Sequence, residues 1–164
     1  MVITRFDKFL LEDKQNTDVL IDFFGNENNV ATYLHTCKTE ELCKEIFEEG
    51  FEFVTFYTTT DYVTSNKVDV DWKLNQRTPY GNFTLVIQIP PEFMKDLEEI
   101  TAKPPHENEN GEEVYTLPRE FVKGYFNRKT SEIVPNPNFN INFSPNKVPV
   151  LENYRIRQKH TITK

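Results

Sequence analysis

Two neighbouring residues, His35 and Thr36, have types and a position that suit ligand binding. They end a predicted strand and directly precede a helix for which Thr39 is a good N-cap. At such a junction, backbone donors and a ring nitrogen can converge on a small molecule. A lone histidine there is also typical of an ordinary, half-exposed strand end. The sequence therefore predicts a ligand-binding role for His35 and Thr36, with simple packing as the alternative.

A second group combines aromatic rings and hydroxyls near the end of the next predicted strand. Rings and hydroxyls in such a cluster can hold a planar ligand ring and its amide. A strand end rich in Tyr and Thr is equally common in α+β proteins without such a role. Both interpretations stay open for the four residues of the group, Tyr57, Thr58, Thr59 and Tyr62.

An acidic pair, Glu112 and Glu113, directly precedes the predicted strand Val114–Leu117. A carboxylate at a strand edge can stabilise the positive charge that develops on a sugar carbon when a glycosidic bond breaks. The alternative is a solvated acidic loop. Glu107 and Glu109 lie in the same loop, so the sequence leaves open which carboxylate reaches a site.

The two cysteines, Cys37 and Cys43, predict neither a disulfide nor a metal site. They lie six residues apart on what reads as one helix and its lead-in, which is the wrong phase for one helical face. Zinc sites usually contain close pairs such as C-x₂₋₄-C or H-x₃₋₅-H, and His35, Cys37 and Cys43 match neither. Cys37 near a helix N-terminus has no evident catalytic partner. Cys43 falls on an apolar stripe and is predicted to pack in the core.

Two strands and one helix are predicted to position these groups. The alternation of residues 30–35 predicts a strand with Tyr33 and His35 on the same face. A helix is predicted over residues 39–49, followed by a strand over residues 51–58. The buried stripe of the helix is predicted to consist of Leu42, Cys43, Ile46 and Phe47.

The remaining patterning predicts an α+β domain. It indicates a short helix over residues 5–12, a helical segment over 62–75, a central strand over 83–89, a helix from Pro90 to Ile100, a strand over 114–117 and a helical turn from Pro118 to near Gly124. We therefore expect a single compact domain with a mixed or antiparallel sheet, two to three helices and an extended C-terminal tail. The expected core covers residues 1–134. Residues 135–164, with four prolines and no glycine, are expected to lie on the core or on a partner.

Composition and charge exclude several classes of protein. The 164 residues carry 19 basic and 26 acidic side chains, a net charge of −7, which argues against nonspecific nucleic-acid binding. No apolar run approaches the roughly 18 residues that span a bilayer, and residues 1–11 do not resemble a signal peptide. With only two cysteines, the sequence predicts a reducing, cytoplasmic location. The charge is uneven: residues 92–113 hold eight acids and two bases, whereas residues 151–164 hold one acid and four bases.

The stretch YLHTCKTEELCKEIFEEGFEFVTFYTTTDY, residues 33–62, resembles the opening of the ADP-ribosyltransferase-like fold. Proteins of that type often begin with a strand that ends in His followed by Gly, Thr or Ser. A helix ending in I…GF follows, then a strand leading to a segment with Tyr and Ser or Thr, and finally a late Glu near another strand. The resemblance covers about residues 30–117.

The resemblance implies an NAD-dependent ADP-ribosyltransferase acting on a macromolecular target, with NAD as substrate. His35 and Thr36 match the motif that binds the ribose and the nicotinamide amide of NAD. Glu113, or Glu112, matches the carboxylate that holds a ribose hydroxyl and favours loss of nicotinamide. The segment that shapes the nicotinamide pocket is matched by Tyr57, Thr58, Thr59 and Tyr62.

Two other functions are weighed against this one. The stretch YTLPREFVKGYFNRKTSEIVPNPNF, residues 115–139, resembles small proteins of large bacteriophages, a resemblance that implies no activity. The alternative is thus a noncatalytic structural or interaction protein that assembles through its C-terminal tail with neighbouring chains, including copies of itself. A related transferase acting on an RNA 2′-phosphate ranks lower, because Lys38 and Lys44 are the only bases near His35 in the sequence and the position of Arg77 is not fixed.

Overall fold

A computed structural model describes residues 16–25 and 30–145. In the described part, the strands are β1 (Ala31–Cys37), β2 (Phe51–Phe53), β3 (Asp61–Val63), β4 (Phe83–Ile89), β5 (His106–Glu107), β6 (Glu113–Leu117), β7 (Val122–Asn127) and β8 (Glu132–Pro135). The helices are α1 (residues 16–24), α2 (Glu40–Glu49), α3 (Phe56–Thr59) and α4 (Lys67–Gln76). No helix among these residues is long and apolar enough to cross a membrane.

The strands form two antiparallel sheets, so the α+β prediction is confirmed. The five-stranded sheet has the order β3-β1-β4-β7-β8, and the three-stranded sheet has the order β2-β6-β5. β1 pairs with β4 along its whole length, from Ala31 opposite Ile89 to Cys37 opposite Phe83. On its other edge β1 pairs with β3 only from Thr32 to Leu34. Residues 35–37 therefore extend past β3 and have no strand on that edge.

The five-stranded sheet is covered on both of its faces. One face packs against α1 and α4, through a cluster that includes Leu34, Val86, Leu20, Val70 and Leu74. The other face packs against α2 and the three-stranded sheet, through a cluster that includes Tyr33, Cys37, Leu85, Cys43, Phe51 and Leu117. The near-continuous burial of β4 confirms the prediction of a central strand covered on both faces.

Helix α2 begins and ends where the sequence predicts. The hydroxyl oxygen of Thr39 accepts a hydrogen bond from the backbone N–H of Leu42, and the N–H of Gly50 donates to the carbonyl of Ile46. Cys43 and Phe47 are buried as expected. The prediction for Leu42 is wrong, because its side chain is exposed at the rim of a cavity.

Two predicted elements are shorter than expected because polar side chains interrupt them. The strand predicted over residues 51–58 stops at Phe53, and the hydroxyls of Thr58 and Thr59 both donate to the carbonyl of Thr55 within α3. The helix predicted over residues 62–75 begins at Lys67. Asn66 caps it, and the residues just before it form β3.

One predicted helix is wrong, and one predicted helical turn ends earlier than expected. The segment from Pro90 to Ile100 is a 3₁₀ turn followed by further turns, and these bury Leu97 and Ile100 as a helix would. The turn after Pro118 leads into β7 rather than ending near Gly124. Gly124 lies inside β7, where only glycine fits because a Cβ would overlap the carbonyl oxygen of Val134 in the adjacent β8.

The termini are described only in part. The N-terminal helix predicted over residues 5–12 lies outside the described residues. The part of the predicted tail over residues 146–164 lies outside them as well. The described part of that tail packs on the core, where Phe143 contacts Phe121 with ring centroids 5.8 Å apart. Residues 16–24 form α1, to which the sequence patterning assigned no element.

Candidate functional site

The imidazole of His35 is held in one orientation by two contacts. Its ring packs edge-on against the ring of Phe51, with the centroids 4.8 Å apart. Its Nδ1 lies 2.9 Å from the carbonyl oxygen of Thr59. A carbonyl only accepts hydrogen bonds, so Nδ1 carries the hydrogen, and in the neutral ring Nε2 has the lone pair. His35 is thus an oriented hydrogen-bond acceptor near the end of β1.

The surroundings of His35 favour its neutral form. Burial is the main cause that lowers the pKa of His35 below its usual value of 6.5, and the nearby Arg77 guanidinium lowers it further. The bond to Thr59 and the carboxylate of Asp61 act in the opposite direction without reversing the shift. Arg77 and Asp61 form an ion pair with each other. At neutral pH the ring is therefore uncharged.

His35 lines a cavity of about 710 Å³ between the end of β1, helix α2 and strand β2. The charged lining consists of Glu45, Glu48, Glu49, Glu52, Lys38 and Lys103. Lys103 and Glu52 form an ion pair 3.2 Å long. The lining carries two more acids than bases, so the cavity favours a cationic or neutral group over an anionic one.

Thr36 does not join His35 through its side chain. Side chains alternate along a strand, and Leu34, two residues before Thr36, packs in the cluster beneath α1 and α4. The Thr36 hydroxyl is buried and finds no hydrogen-bond partner among the described residues. What Thr36 can offer a ligand beside His35 is its backbone, at the strand edge that β3 leaves unpaired.

Tyr57 and Tyr62 meet around the buried ring of Tyr33. Their ring centroids lie 6.3 Å and 5.6 Å from that of Tyr33, and Tyr62 is its direct partner across the β1–β3 pair. Burial, together with these two neighbouring phenols, raises the pKa of Tyr33 to about 12. Tyr57 and Tyr62 are themselves more than half exposed. The structure therefore brings this predicted pair together two residues before His35 on the same strand face.

Thr58 and Thr59 contribute differently from what the sequence predicts. Their hydroxyls are engaged within α3, where both donate to the carbonyl of Thr55. Thr59 takes part in the site through its backbone carbonyl, which holds the His35 ring. No sequence signal identifies this contact, because a backbone oxygen carries no residue-specific pattern.

The two candidate glutamates occupy different surroundings. Glu113 is the first residue of β6, and one of its carboxylate oxygens accepts a hydrogen bond from the Tyr115 hydroxyl at 3.1 Å. Tyr115 in turn stacks on Phe53 with the ring centroids 5.7 Å apart, so Glu113 lies on the face of β6 that carries the aromatic cluster. Glu112 lies in the turn between β5 and β6, where its carboxylate accepts from the Asn108 amide.

Glu113 is separated from His35 along the strands. Phe51, which contacts the His35 ring, pairs with Leu117, and Glu113 lies four residues before Leu117 on β6. At the rise of a β-strand, four residues correspond to about 13 Å. The candidate residues also line different cavities: His35 lines one, Tyr57 a second and Tyr62 a third. Glu113 lines none of these three. A ligand that touched both His35 and Glu113 would lie extended along β2 and β6.

Sequence reasoning missed several residues of this site. Phe51, the four cavity glutamates and the Arg77–Asp61 pair all reach His35 or its cavity from other elements of the fold. The glutamates of α2 recur on the helix face opposite its buried stripe, which is a readable signal. Over the described ranges, no group of three or more His, Cys, Asp or Glu side chains is arranged to hold a metal ion.

Comparison with known proteins gave no relative. No family model matches the chain, and neither a curated protein nor a solved structure is significantly similar to it.

Proposed function

We propose that the protein is an NAD-dependent ADP-ribosyltransferase whose His35 cavity receives the nicotinamide riboside end of NAD. The observation that carries the proposal is the fixed tautomer of His35. Its Nδ1 is held by the Thr59 carbonyl, so the Nε2 lone pair can accept a hydrogen bond from a ribose hydroxyl. This acceptor lies where β1 extends past β3, so backbone groups of residues 35–37 are available for the nicotinamide amide.

The charge of the cavity suits the nicotinamide end of NAD better than its diphosphate. The nicotinamide ring of NAD is cationic, which suits a lining with four glutamates and two lysines. The diphosphate is anionic and would lie toward Lys38, because Lys103 is already paired with Glu52. The same lining argues against the RNA 2′-phosphate transferase, since such a substrate needs several bases that are not engaged elsewhere. Lys44 is paired with Glu40, and Arg77 with Asp61.

In this proposal NAD lies extended along β2 and β6, because Glu113 is about 13 Å along β6 from the partner of Phe51. From there Glu113 stabilises the positive charge on the ribose carbon as the bond to nicotinamide breaks. The Tyr115 hydroxyl orients its carboxylate on the aromatic face of β6. Glu112 is less suited to the role because the β5–β6 turn engages it. A nucleophile on a macromolecule would then capture the ribose, and that acceptor is the proposed partner of the protein.

Thermal unfolding in the presence of NAD tests the binding step. We expect the midpoint to rise with NAD concentration, because a ligand that binds only the folded state stabilises it by mass action. His35→Gln should remove most of that shift. His106→Gln is the matched control, since His106 is exposed on β5 and outside the cavity. An unchanged midpoint at millimolar NAD, or an equal shift in the His35 variant, would overturn the proposal.

The second candidate is a noncatalytic protein that assembles with copies of itself. Exposed apolar side chains on α4 favour it. Val68 is 79% exposed and Trp72 63% exposed, and both line a shallow cavity of about 680 Å³ together with Tyr62. Exposed apolar surface of this kind is typical of interaction sites. The proposed occupant is residues 151–164 of a second copy, which carry a net charge of +3 from four bases and one acid in a chain of net charge −7.

Light scattering after size exclusion separates the two candidates. Self-assembly predicts that the full chain is oligomeric, and that removal of residues 146–164 or the Trp72→Ala substitution makes it monomeric. Tyr80→Ala is the control, because Tyr80 is equally exposed but does not line this cavity. A monomeric full chain would contradict self-assembly.

Either function is compatible with a reducing compartment such as the cytoplasm, in which both cysteines would stay free as observed.

A further inference from the structure

The two cysteines of the chain lie against each other in the core. Cys37 is the last residue of β1 and is 4% exposed, and Cys43 lies in α2 and is 0% exposed. The two side chains are in hydrogen-bonding contact, and both belong to the cluster beneath α2. Neither forms a disulfide. Two buried thiols in mutual contact are a more specific arrangement than the packing of either one alone.

The contact is possible because the two residues belong to different elements, so they need not share one helical face. Cys37 ends a strand, and the extended backbone of Thr39 turns the chain into α2, so helical phase does not govern the pair. Side chains on a helix point toward its N-terminus, which directs the thiol of Cys43 back toward the end of β1. The six-residue spacing therefore does not keep the two thiols apart, although both are free in this structure.

We propose that Cys37 and Cys43 are a redox pair that forms a reversible intramolecular disulfide when the protein meets a peroxide. The bond would join the end of β1 to the first turns of α2, which are two walls of the His35 cavity. This proposal does not depend on NAD binding, because it needs only the two thiols and the oxidant.

The chemistry balances with hydrogen peroxide as the oxidant. The Cys37 sulfur attacks one peroxide oxygen, the O–O bond breaks, and the departing hydroxide takes up the thiol proton to leave as water. The Cys43 sulfur then attacks the sulfur of the resulting Cys37 sulfenic acid, the S–O bond breaks, and the second hydroxide leaves as water with the Cys43 proton. Two thiols and one peroxide thus give one disulfide and two waters, with the cysteines oxidised by two electrons.

The order of the two steps follows from access and hydrogen bonding. Cys37 lines the His35 cavity, whereas Cys43 does not. The Cys43 thiol donates a hydrogen bond to the Cys37 sulfur, which lowers the pKa of Cys37. The same contact, with burial, raises the pKa of Cys43. Cys37 is therefore the residue that attacks the peroxide, and Cys43 is the one that resolves the sulfenic acid.

Intact-mass spectrometry on the folded protein tests the pair. The protein is treated with a few equivalents of hydrogen peroxide, quenched, denatured and alkylated with N-ethylmaleimide. We expect a species two hydrogens lighter that takes up no alkylating reagent, and its return to two alkylated thiols after dithiothreitol. A peptide digest should show Cys37 and Cys43 joined within one chain.

Two serine variants assign the roles. Cys43→Ser should stop at the sulfenic acid of Cys37, which dimedone traps, and Cys37→Ser should keep one alkylatable thiol and resist oxidation. Circular dichroism checks that each variant is folded, and alanine replaces serine where it is not. Wild-type protein that keeps both thiols, forms only disulfides between chains, or accumulates the dimedone adduct as Cys43→Ser does would overturn the proposal. Because the wild-type measurement stands without the variants, a failure of either variant to fold does not affect it.

Discussion

The carbonyl oxygen of Thr59 accepts a hydrogen bond from Nδ1 of His35 across 2.9 Å, and this bond links the end of β1 to the end of α3. It determines which ring nitrogen carries the hydrogen and so which one can serve a ligand. The residue that fixes the chemistry of the histidine thus acts through its backbone. The side chain of Thr59 is engaged within its own helix, where it donates to Thr55.

We expect stability to rise with pH through the titration of His35. Its pKa in the folded state is below the usual 6.5, mainly through burial, so between those two values the unfolded chain binds more protons. Stability from this source is complete above pH 6.5 and is lost as the pH falls toward the folded pKa, with a slope of at most about 1.4 kcal/mol per pH unit. Burial, opposed by the bond to Thr59, determines the lower end of that window, with smaller and opposing contributions from Arg77 and Asp61, which face the ring.

Urea unfolding at a series of pH values from just above neutrality downward measures this dependence. His35→Gln should reduce the slope just below pH 6.5, because glutamine does not titrate. His106→Gln is the matched control, since it replaces an exposed histidine outside the cavity. A slope that is the same in all three proteins would show that His35 binds its proton equally well in both states.

We predict that Glu113→Gln abolishes NAD turnover and that Glu112→Gln does not. The amide keeps the size of Glu113 and can still accept from the Tyr115 hydroxyl, but it cannot stabilise a developing positive charge. Release of nicotinamide from NAD is the measurement, with a loss of about 100-fold or more expected for a group acting on the transition state. Glu112→Gln is the control for loss of a negative charge, because Glu112 lies in the turn directly before β6. Equal turnover in both variants would remove Glu113 from the proposed mechanism.

Local sequence signals were sufficient for the elements that hold His35. The alternation around Tyr33, the Thr39 cap and Gly50 mark β1 and α2 correctly, because each signal depends on residues within one turn or one strand. Two other strands of the five-stranded sheet, the edge strand β3 and the inner strand β7, were harder. β3 has three residues and β7 contains Gly124, and each is a strand only because a neighbour pairs with it. A short window of sequence does not predict such pairing, because the partner strand lies elsewhere in the chain.

The candidate site was predictable in residue type but not in arrangement. Tyr57 and Tyr62 do meet, around Tyr33, because the short α3, which contains Tyr57, leads directly into β3, and β3 pairs with β1. The side chain of Thr36 lies on the opposite sheet face from His35, a consequence of strand alternation that adjacency in sequence conceals. Phe51 and Lys103, by contrast, reach the cavity from positions that only tertiary packing brings to His35.

Gly50 should be far less tolerant of substitution than Gly111, although both have positive φ. Gly50, with φ of 96°, ends α2 beside β6, and a Cβ there would overlap the carbonyl oxygen of Leu117. Gly111, with φ of 75°, has open space around it. We expect Gly111→Ala to cost about 1 kcal/mol, from backbone strain alone, and Gly50→Ala to cost about 3 kcal/mol or more. Chemical denaturation compares the two, and equal losses would contradict the predicted close approach of α2 to β6.

Asn136 should be the most sensitive asparagine of the segment after β8. Its buried side-chain amide donates to the carbonyls of Arg119 and Val122 at 3.0 and 2.8 Å, and its Oδ1 accepts from the N–H of Asn138 at 3.0 Å. Asn136→Ala therefore leaves up to three backbone groups without a partner, two of them beside the core. We expect a loss of about 2 to 4 kcal/mol in the free energy of unfolding.

Asn140 provides the matched control for that substitution. It makes the same local turn, since its Oδ1 accepts from the N–H of Asn142 at 3.0 Å, but its side chain is exposed. Asn140→Ala should cost about 0.5 kcal/mol or less, because water replaces the lost bond. Denaturant unfolding of both variants, monitored by the fluorescence of Trp72, gives the difference. Similar losses would show that the local turn, rather than the buried bonds to Arg119 and Val122, makes Asn136 important.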